Sequence, residues 1–597
     1  MPEHHTQGRW SLRDLISAPS GPEMETVFTE LETAVAALEA KRPLLGDEIS
    51  GESFVELLTI VEQIGYSAQC LYAYAHLWFS EDNSHQDALA FRGRVEKILA
   101  ETQNRTLFFD LWWKALDGSQ ASRLIKDSGD VRYYLESLRR YAPYTLSEPV
   151  EKAITTKDIN GTQGLVTVYD MITNGLLFEW ESDGEIKHLT RSELMAHAFS
   201  PSPEKRARAY QTLYREYEQH SAVLGQIYRY VVGDWYQENV GLRGMAGPIS
   251  VRNLANDVPD DVVNTLLQVC RKNASLFQRY FKLKAKWLGK EKLRRYDLYA
   301  PLTTEEKMYP FEEAVPLISD ALSRFSPRIA ELAKRVLDQN HLDSETRPGK
   351  DTGAFCFGVV PDKTPWVSVN YTGRYGSVST LAHELGHAIH SMLASDHSTL
   401  TFHSSLPLAE TASVFSEILL LERVLDDETD PVIRRTLLAQ FIDETYATAI
   451  RQAYFVLYER DAHDLINNAG ATSDQLASLY MDNLREQFGD SFELSDEFQW
   501  EWTSIPHIYA TPFYCYAYTF GQLLVLSLYQ RYQEEKEAFV PKYERILGSG
   551  GSRAPIEILD EAGIDIRPAS FWQGGFDIIA GMIQQLEKLT SEIEQRS

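Results

Sequence analysis

The stretch Leu381-Ala382-His383-Glu384-Leu385-Gly386-His387-Ala388-Ile389-His390 decides how the rest of this chain is read. Leu381, Leu385 and Ile389 recur at helical spacing, so the segment is a helix with one buried side. Residues four apart share a helix face, and His383 and His387 can therefore bring two imidazole nitrogens to one Zn²⁺. Glu384, next to the first histidine, is placed to take a proton from a water held there. Coincidence is a poor account: with 15 His and 86 acidic residues in 597, the HExxH spacing is expected fewer than about 0.05 times.

A catalytic zinc takes three protein ligands and keeps one position open, so a third donor must come from elsewhere. The residues that follow His387 do not supply the third histidine of the longer H-x-x-G-x-x-H pattern. Downstream, Pro407-Leu-Ala-Glu410-Thr-Ala-Ser413-Val-Phe-Ser-Glu417-Ile-Leu-Leu reads as a helix opened by its proline. Glu410 and Glu417 then share a face, and a carboxylate on a largely apolar helix is costly unless it is paired or on a metal. Glu410 is the expected ligand and Glu417 its supporting neighbour, with the reverse assignment open. Three histidines on one helix do not readily surround a tetrahedral ion, so His390 is expected to support the ligands or to pack in the core. His403 and the pair Glu422-Arg423 read as structural or solvated.

Beyond the motif, long amphipathic segments at 23–41, 51–75, 262–288 and 434–467 predict a mainly α protein. Alternation around Asn174-Gly175 and Asp183-Gly184 predicts two linked hairpins or a small meander over 165–189. A second β region, 353–371, places a small sheet just before the motif helix. Pro and Ser at 199–203 suggest a boundary between an N-terminal helical domain (1–199) and a larger domain (200–597). No fixed-period repeat argues for a solenoid. Gly373 and Gly376 read equally as a flexible flap or as a strand-to-helix turn, and Gly548 to Gly551 as a connector or cleft rim.

The formal net charge of −28 repels phosphate backbones and anionic lipid, which argues against nucleic acid or a membrane surface as partner. The four cysteines are scattered, the N-terminus lacks the pattern of a secretory signal, and no apolar run approaches the ~20 residues of a membrane span. A cytoplasmic location is the default expectation.

HELGHAIH (383–390) and AETASVFSE (409–417), with GAFCFGV (353–359) and WVSVNY (366–371) upstream and HIYATPFYCYAYTFG (507–521) downstream, resemble oligoendopeptidase F and its relatives in the M3, thimet oligopeptidase-like, zinc peptidases. The resemblance runs from Trp10 to Trp572. It implies an elongated, mainly helical zincin-type metallopeptidase with a deep substrate channel, one Zn²⁺ per chain, and cleavage of short peptides. Carried over by position, it makes His383, His387 and Glu410 the ligands and Glu384 the general base. The strand 366–371, with Trp366, Val367, Ser368 and Val369, would pair with the substrate backbone, and Tyr509 would contact substrate. His507 and one tyrosine of the following segment match the family's transition-state stabilising pair. If Pro512 opens a helix, Tyr514 and Tyr518 present two phenols on one face while Tyr516 points elsewhere; which tyrosine acts is open. The chain is expected to be a monomer or weak homo-oligomer. A zinc carboxypeptidase of similar build and a non-catalytic peptide-binding scaffold are the competing readings.

Overall fold

Local sequence signals account for many of the observed helix ends. Ser50 caps Gly51–Glu81 by accepting from the Ser53 N–H, and Ser202, followed by Pro203, caps Pro203–Trp235 through the Lys205 N–H. Gly470 and Gly489 follow the last residues of Arg451–Ala469 and Ser473–Phe488 in positive-φ conformations that suit glycine. The computed structural model describes residues 5–46, 48–182, 184–303 and 307–596. It is mainly α, with 72% helix and only small sheets, as the periodicity predicts.

The chain forms two units, each assembled from three separate segments. One comprises Met1–Pro143, Lys307–Thr429 and Leu528–Asp565; the other comprises Tyr144–Glu306, Asp430–Ser527 and Ile566–Ser597. The expected cut near residue 200 coincides with neither, because 197–203 lies inside the second unit.

In the first unit, the helices Pro22–Lys41, Gly51–Glu81 and Gln86–Ala115 pack through Val35, Leu38, Phe54, Leu57, Leu71 and Trp113. Val359, Val360 and Trp366, more than 200 residues later in the chain, belong to the same core. Trp366 lies in a three-stranded sheet of order Leu342–Asp343, Trp366–Ser368, Phe355–Phe357. The middle strand runs parallel to the first and antiparallel to the last, with Cys356 opposite Val367. The sheet precedes the motif helix, Tyr375–Leu393, as expected.

The second unit is built around Pro203–Trp235 and is tied by buried ion pairs, Arg206 to Asp297 at 2.8 Å and Glu501 to both Arg295 and Arg451 at 2.9 Å. Two sequence expectations fail here. Residues Thr162–Gly175 form a helix, with Tyr169 and Thr173 buried four apart, so Asn174-Gly175 ends a helix instead of turning a hairpin. Only the second hairpin exists: Phe178–Ser182 pairs with Glu185–Leu189, Gly184 adopts φ +81°, and Asp183 lies outside the described residues. The segment expected as one helix over 262–288 is two, Asp260–Lys272 and Ala274–Trp287, split at Asn273.

Candidate active site

The motif helix carries its chemistry on the side that faces Thr411–Asp427. That approach depends on Gly386: a Cβ there would lie 2.5 Å from the Ala412 carbonyl oxygen and 2.6 Å from the Ser413 Cα. The glutamate segment is not one continuous helix. A short turn, Leu406–Ala409, ends at Glu410, and the longer helix begins at Thr411. Glu410 thus sits at a break and not on the same regular face as Glu417.

The break brings Glu410 to the histidines. Its Oε2 lies 3.3 Å from His383 Nε2 and 3.5 Å from His387 Nε2, and the two ring nitrogens are 3.2 Å apart. Three donors on a tetrahedral ion at the ~2.0–2.1 Å bond lengths of zinc stand about 3.3 Å from one another, so these residues fit that ion. Among the described residues, a second acidic group that could hold a metal is Asp158, Asp234 and Glu238, which has no histidine and no zinc-like donor mix.

Electrostatics point the same way. Burial opposes a charged His383 ring, but hydrogen bonds to Glu410 and Glu417 outweigh it and push its pKa up to about 10. For Glu410 burial raises the pKa, yet His383, His387 and the Ser413 hydroxyl bring it down to about 2. A spot that favours positive charge this strongly suits a dication. His383 Nδ1 lies 2.6 Å from Glu417 Oε1, which orients the ring and leaves Nε2 for the donor set. Glu417 also accepts from Ser379 Oγ at 2.9 Å, and Glu410 from Ser413 Oγ at 2.7 Å. Neither serine was singled out in the sequence, although Ser379 is four before His383 and Ser413 three after Glu410, both neighbouring positions on a helix.

Glu384 is buried, and burial together with Glu410 and Glu417 lifts its carboxyl to about 7 against the pull of His383 and of the nearby Cys356 backbone. That neighbour was invisible in the sequence, because nothing local links Cys356 to the motif. His390 is buried and held neutral, its pKa lowered to about 4 by burial first and then by the neighbouring His387. These residues border a cavity of about 540 Å³ whose walls include Gln69, Phe355, Phe357 and Phe402.

The expected substrate strand does not fit. Trp366, Val367 and Ser368 are 0% exposed and Val369 is 1%, and both edges of the strand are occupied by its neighbours. Of the two outer strands, Leu342–Asp343 is flanked by the chain at 8–11 through the Ser11 N–H to Asn340 carbonyl and Ser344 N–H to Gly8 carbonyl bonds, which leaves Phe355–Phe357 as the open edge of the sheet among the described residues. Tyr509 is buried and stacked on Tyr169, centroids 4.0 Å apart, so the expected contact with substrate does not hold either.

In the second unit, His507, Tyr514 and Tyr518 do come together. Tyr518 Oη is 3.5 Å from His507 Nε2, and the Tyr514 and Tyr518 rings meet edge to face at 5.3 Å. Pro512 does not open their helix. The chain turns through Phe513 at φ +60°, Tyr514 follows in the turn, and the helix starts at Tyr516. Tyr516 points away and accepts from Asn256 at 2.8 Å.

A family model described as peptidase family M3 matches residues 196–578, and one described as oligopeptidase F matches 112–178. The chain belongs to peptidase family M3. It is similar to oligopeptidase PepF of Bacillus subtilis, 24% identical over 99% of this chain and 89% of that one. An oligoendopeptidase F homolog of Lactococcus lactis is 25% identical, over 96% and 95% of the two chains. Among solved structures, one from Chlamydophila abortus superimposes with a TM-score of 0.88 at 25% identity, covering 97% and 98%. Oligoendopeptidase-F from Enterococcus faecium shares the fold at a TM-score of 0.70 and 22% identity, covering 96% and 99%. This M3 chain is a peptide hydrolase of the metallo-endopeptidase kind, as its motifs imply. No helix among the described residues is long and apolar enough to cross a membrane.

Proposed function

We propose that this chain is a zinc-dependent oligoendopeptidase that cuts internal bonds of short, unfolded peptides. The observation that carries the reading is the set of three donors, His383, His387 and Glu410, spaced 3.2–3.5 Å apart beside a buried Glu384. The chemistry zinc supplies when bound there is polarisation of a carbonyl and a lower pKa for water. Glu384, buried beside the Cys356 backbone, takes the proton of the attacking water and delivers it to the leaving amine nitrogen. Glu417 holds the His383 ring in the tautomer that leaves Nε2 free. The substrate backbone pairs with the free edge of Phe355–Phe357, in place of the buried strand Trp366–Ser368. On motif order alone, His507 with Tyr514 or Tyr518 donates to the carbonyl oxygen as it gains charge. The four cysteines are all free, which supports a reducing, cytoplasmic setting, and the chain works as a monomer or weak homo-oligomer.

A length ladder of synthetic peptides with blocked and free ends, mapped by mass spectrometry with and without a zinc chelator, tests this. Internal cuts in blocked peptides that vanish with chelator are expected, as is a loss of at least about 100-fold in kcat for Glu384→Gln at full zinc content. Cuts that require a free terminus make the enzyme an exopeptidase, and a zinc-loaded protein that cuts nothing is a binding scaffold.

A further inference from the structure

Side chains alternate along a strand, so Phe355 and Phe357 share one face of the edge strand while Cys356 takes the other. On the Phe355/Phe357 face stands the helix Gly51–Glu81, which presents Gln69, Tyr72 and His76 at i, i+3 and i+7, on one side. The rings meet: His76 lies 5.4 Å from Phe355 and 5.5 Å from Phe357, and Tyr72 lies 6.0 Å from Phe357. Tyr72 stacks on His76 at 6.0 Å and 13°, and Trp10 extends the row at 6.0 Å from Phe355. All belong to the first unit.

A purely structural cluster would be sealed, and this one is not. Tyr72 is 41% exposed, and His76, Phe355 and Phe357 are half-buried. Gln69, Phe355 and Phe357 border the same cavity as His383, Glu384 and His387. Burial, helped by Arg92, lowers the His76 pKa, so the ring is neutral and the row is apolar.

We propose that Tyr72, His76, Phe355 and Phe357 form an aromatic wall that selects bulky apolar side chains at alternating positions of the peptide substrate. The proposal rests on reading Phe355–Phe357 as the edge to which substrate adds. A peptide paired there turns its side chains alternately to the two faces, and same-face neighbours across strands stand about 4.5–5.5 Å apart. Side chains on the Cys356 face turn away from the row. Those two residues apart on the other face meet the wall, where an apolar group is sheltered from water and a charged one loses hydration without a partner.

The test walks one phenylalanine through each position around a single cleavable bond in blocked, otherwise alanine-based peptides. The readout is the ratio of kcat/KM for the phenylalanine peptide to that for the all-alanine peptide, measured within each variant so that the fraction of active protein cancels. Wild type is expected to favour phenylalanine by about tenfold, the worth of one good aromatic contact, at a position or at positions two apart. Tyr72→Ala should erase most of that ratio and Tyr72→Phe should keep it, because the ring and not the hydroxyl makes the wall. An unchanged ratio in Tyr72→Ala, or a preference spread evenly over adjacent positions, overturns the wall and leaves the peptidase reading standing. Wild-type protein that cuts none of the peptides overturns both.

Discussion

Glu459 is a residue whose charge the fold does not accommodate. It is 0% exposed, one carboxylate oxygen accepts the Phe513 N–H at 2.8 Å, and the other has no partner among the described residues. Burial pushes its carboxyl up to about 8, against partial relief from the Phe513 N–H and Arg252. A carboxyl raised in the folded state favours folding in its protonated form, so this contribution is intact below the ordinary value of 4.5 and is lost as pH climbs through about 8. Glu459→Gln keeps the acceptor for Phe513 without the ionisation. The variant should therefore unfold at a higher urea midpoint than wild type at alkaline pH, with the gap closing near pH 5; a gap independent of pH refutes the assignment. This residue was not legible in the sequence, because its burial and its partner 54 positions away are products of the tertiary fold. His383, Glu384 and His387 were legible for the opposite reason: their geometry follows from helical spacing alone.

The same contrast holds for elements. Long amphipathic periodicity revealed Pro22–Lys41 and Gly51–Glu81, whereas the breaks that position chemistry, at Glu410 and Phe513, are set by packing and escaped it. The hairpin expected around Asn174-Gly175 became a helix because tertiary burial of Tyr169 and Thr173 outweighed the local turn signal. The sheet beside the motif was legible, but which strand keeps a free edge depends on Leu342–Asp343, a two-residue partner too short to read. The two helices of the site meet tightly where Gly386 lies against the Ala412 and Ser413 backbone, which cannot yield as a flexible side chain would. Gly386→Ala should force the two helices apart and shift Glu410 away from the histidines. The expected result is a lower melting temperature and at least about tenfold weaker zinc binding in a chelator-competition titration, since donors must be held close to productive geometry. The control is Gly581→Ala in Ala569–Arg596, where a Cβ meets nothing within 4 Å and alanine should add about 0.5–1 kcal/mol. Equal effects of the two substitutions would remove the packing argument.

For the whole molecule, the decisive fact is that neither unit is contiguous. Residues 200–597 contain every donor of the metal set and nearly all of the M3 match, so motif reasoning alone marks them as a self-sufficient catalytic domain. The first unit says otherwise. Val359, Val360 and Trp366 are fully buried in a core whose other members come mainly from residues 10–135. The Trp366 indole donates to the Ser11 carbonyl at 2.9 Å, the Ser11 N–H to the Asn340 carbonyl at 2.8 Å, and the Ser344 N–H to the Gly8 carbonyl at 2.9 Å. Removing residues 1–199 uncovers three large apolar side chains at roughly 1.5–3 kcal/mol each, a sum comparable to the whole ~5–15 kcal/mol by which a domain is stable. It also strips the support behind the strand that carries Cys356, whose backbone lies beside Glu384. We therefore expect residues 200–597, expressed alone, to lack a cooperative thermal transition and zinc-dependent peptide cleavage, and adding zinc should not restore either. The full chain should show both. A fragment that melts cooperatively and cuts blocked peptides would mean that the linear division near residue 200 describes the folding units after all, and that the interleaved core contributes little to the active state.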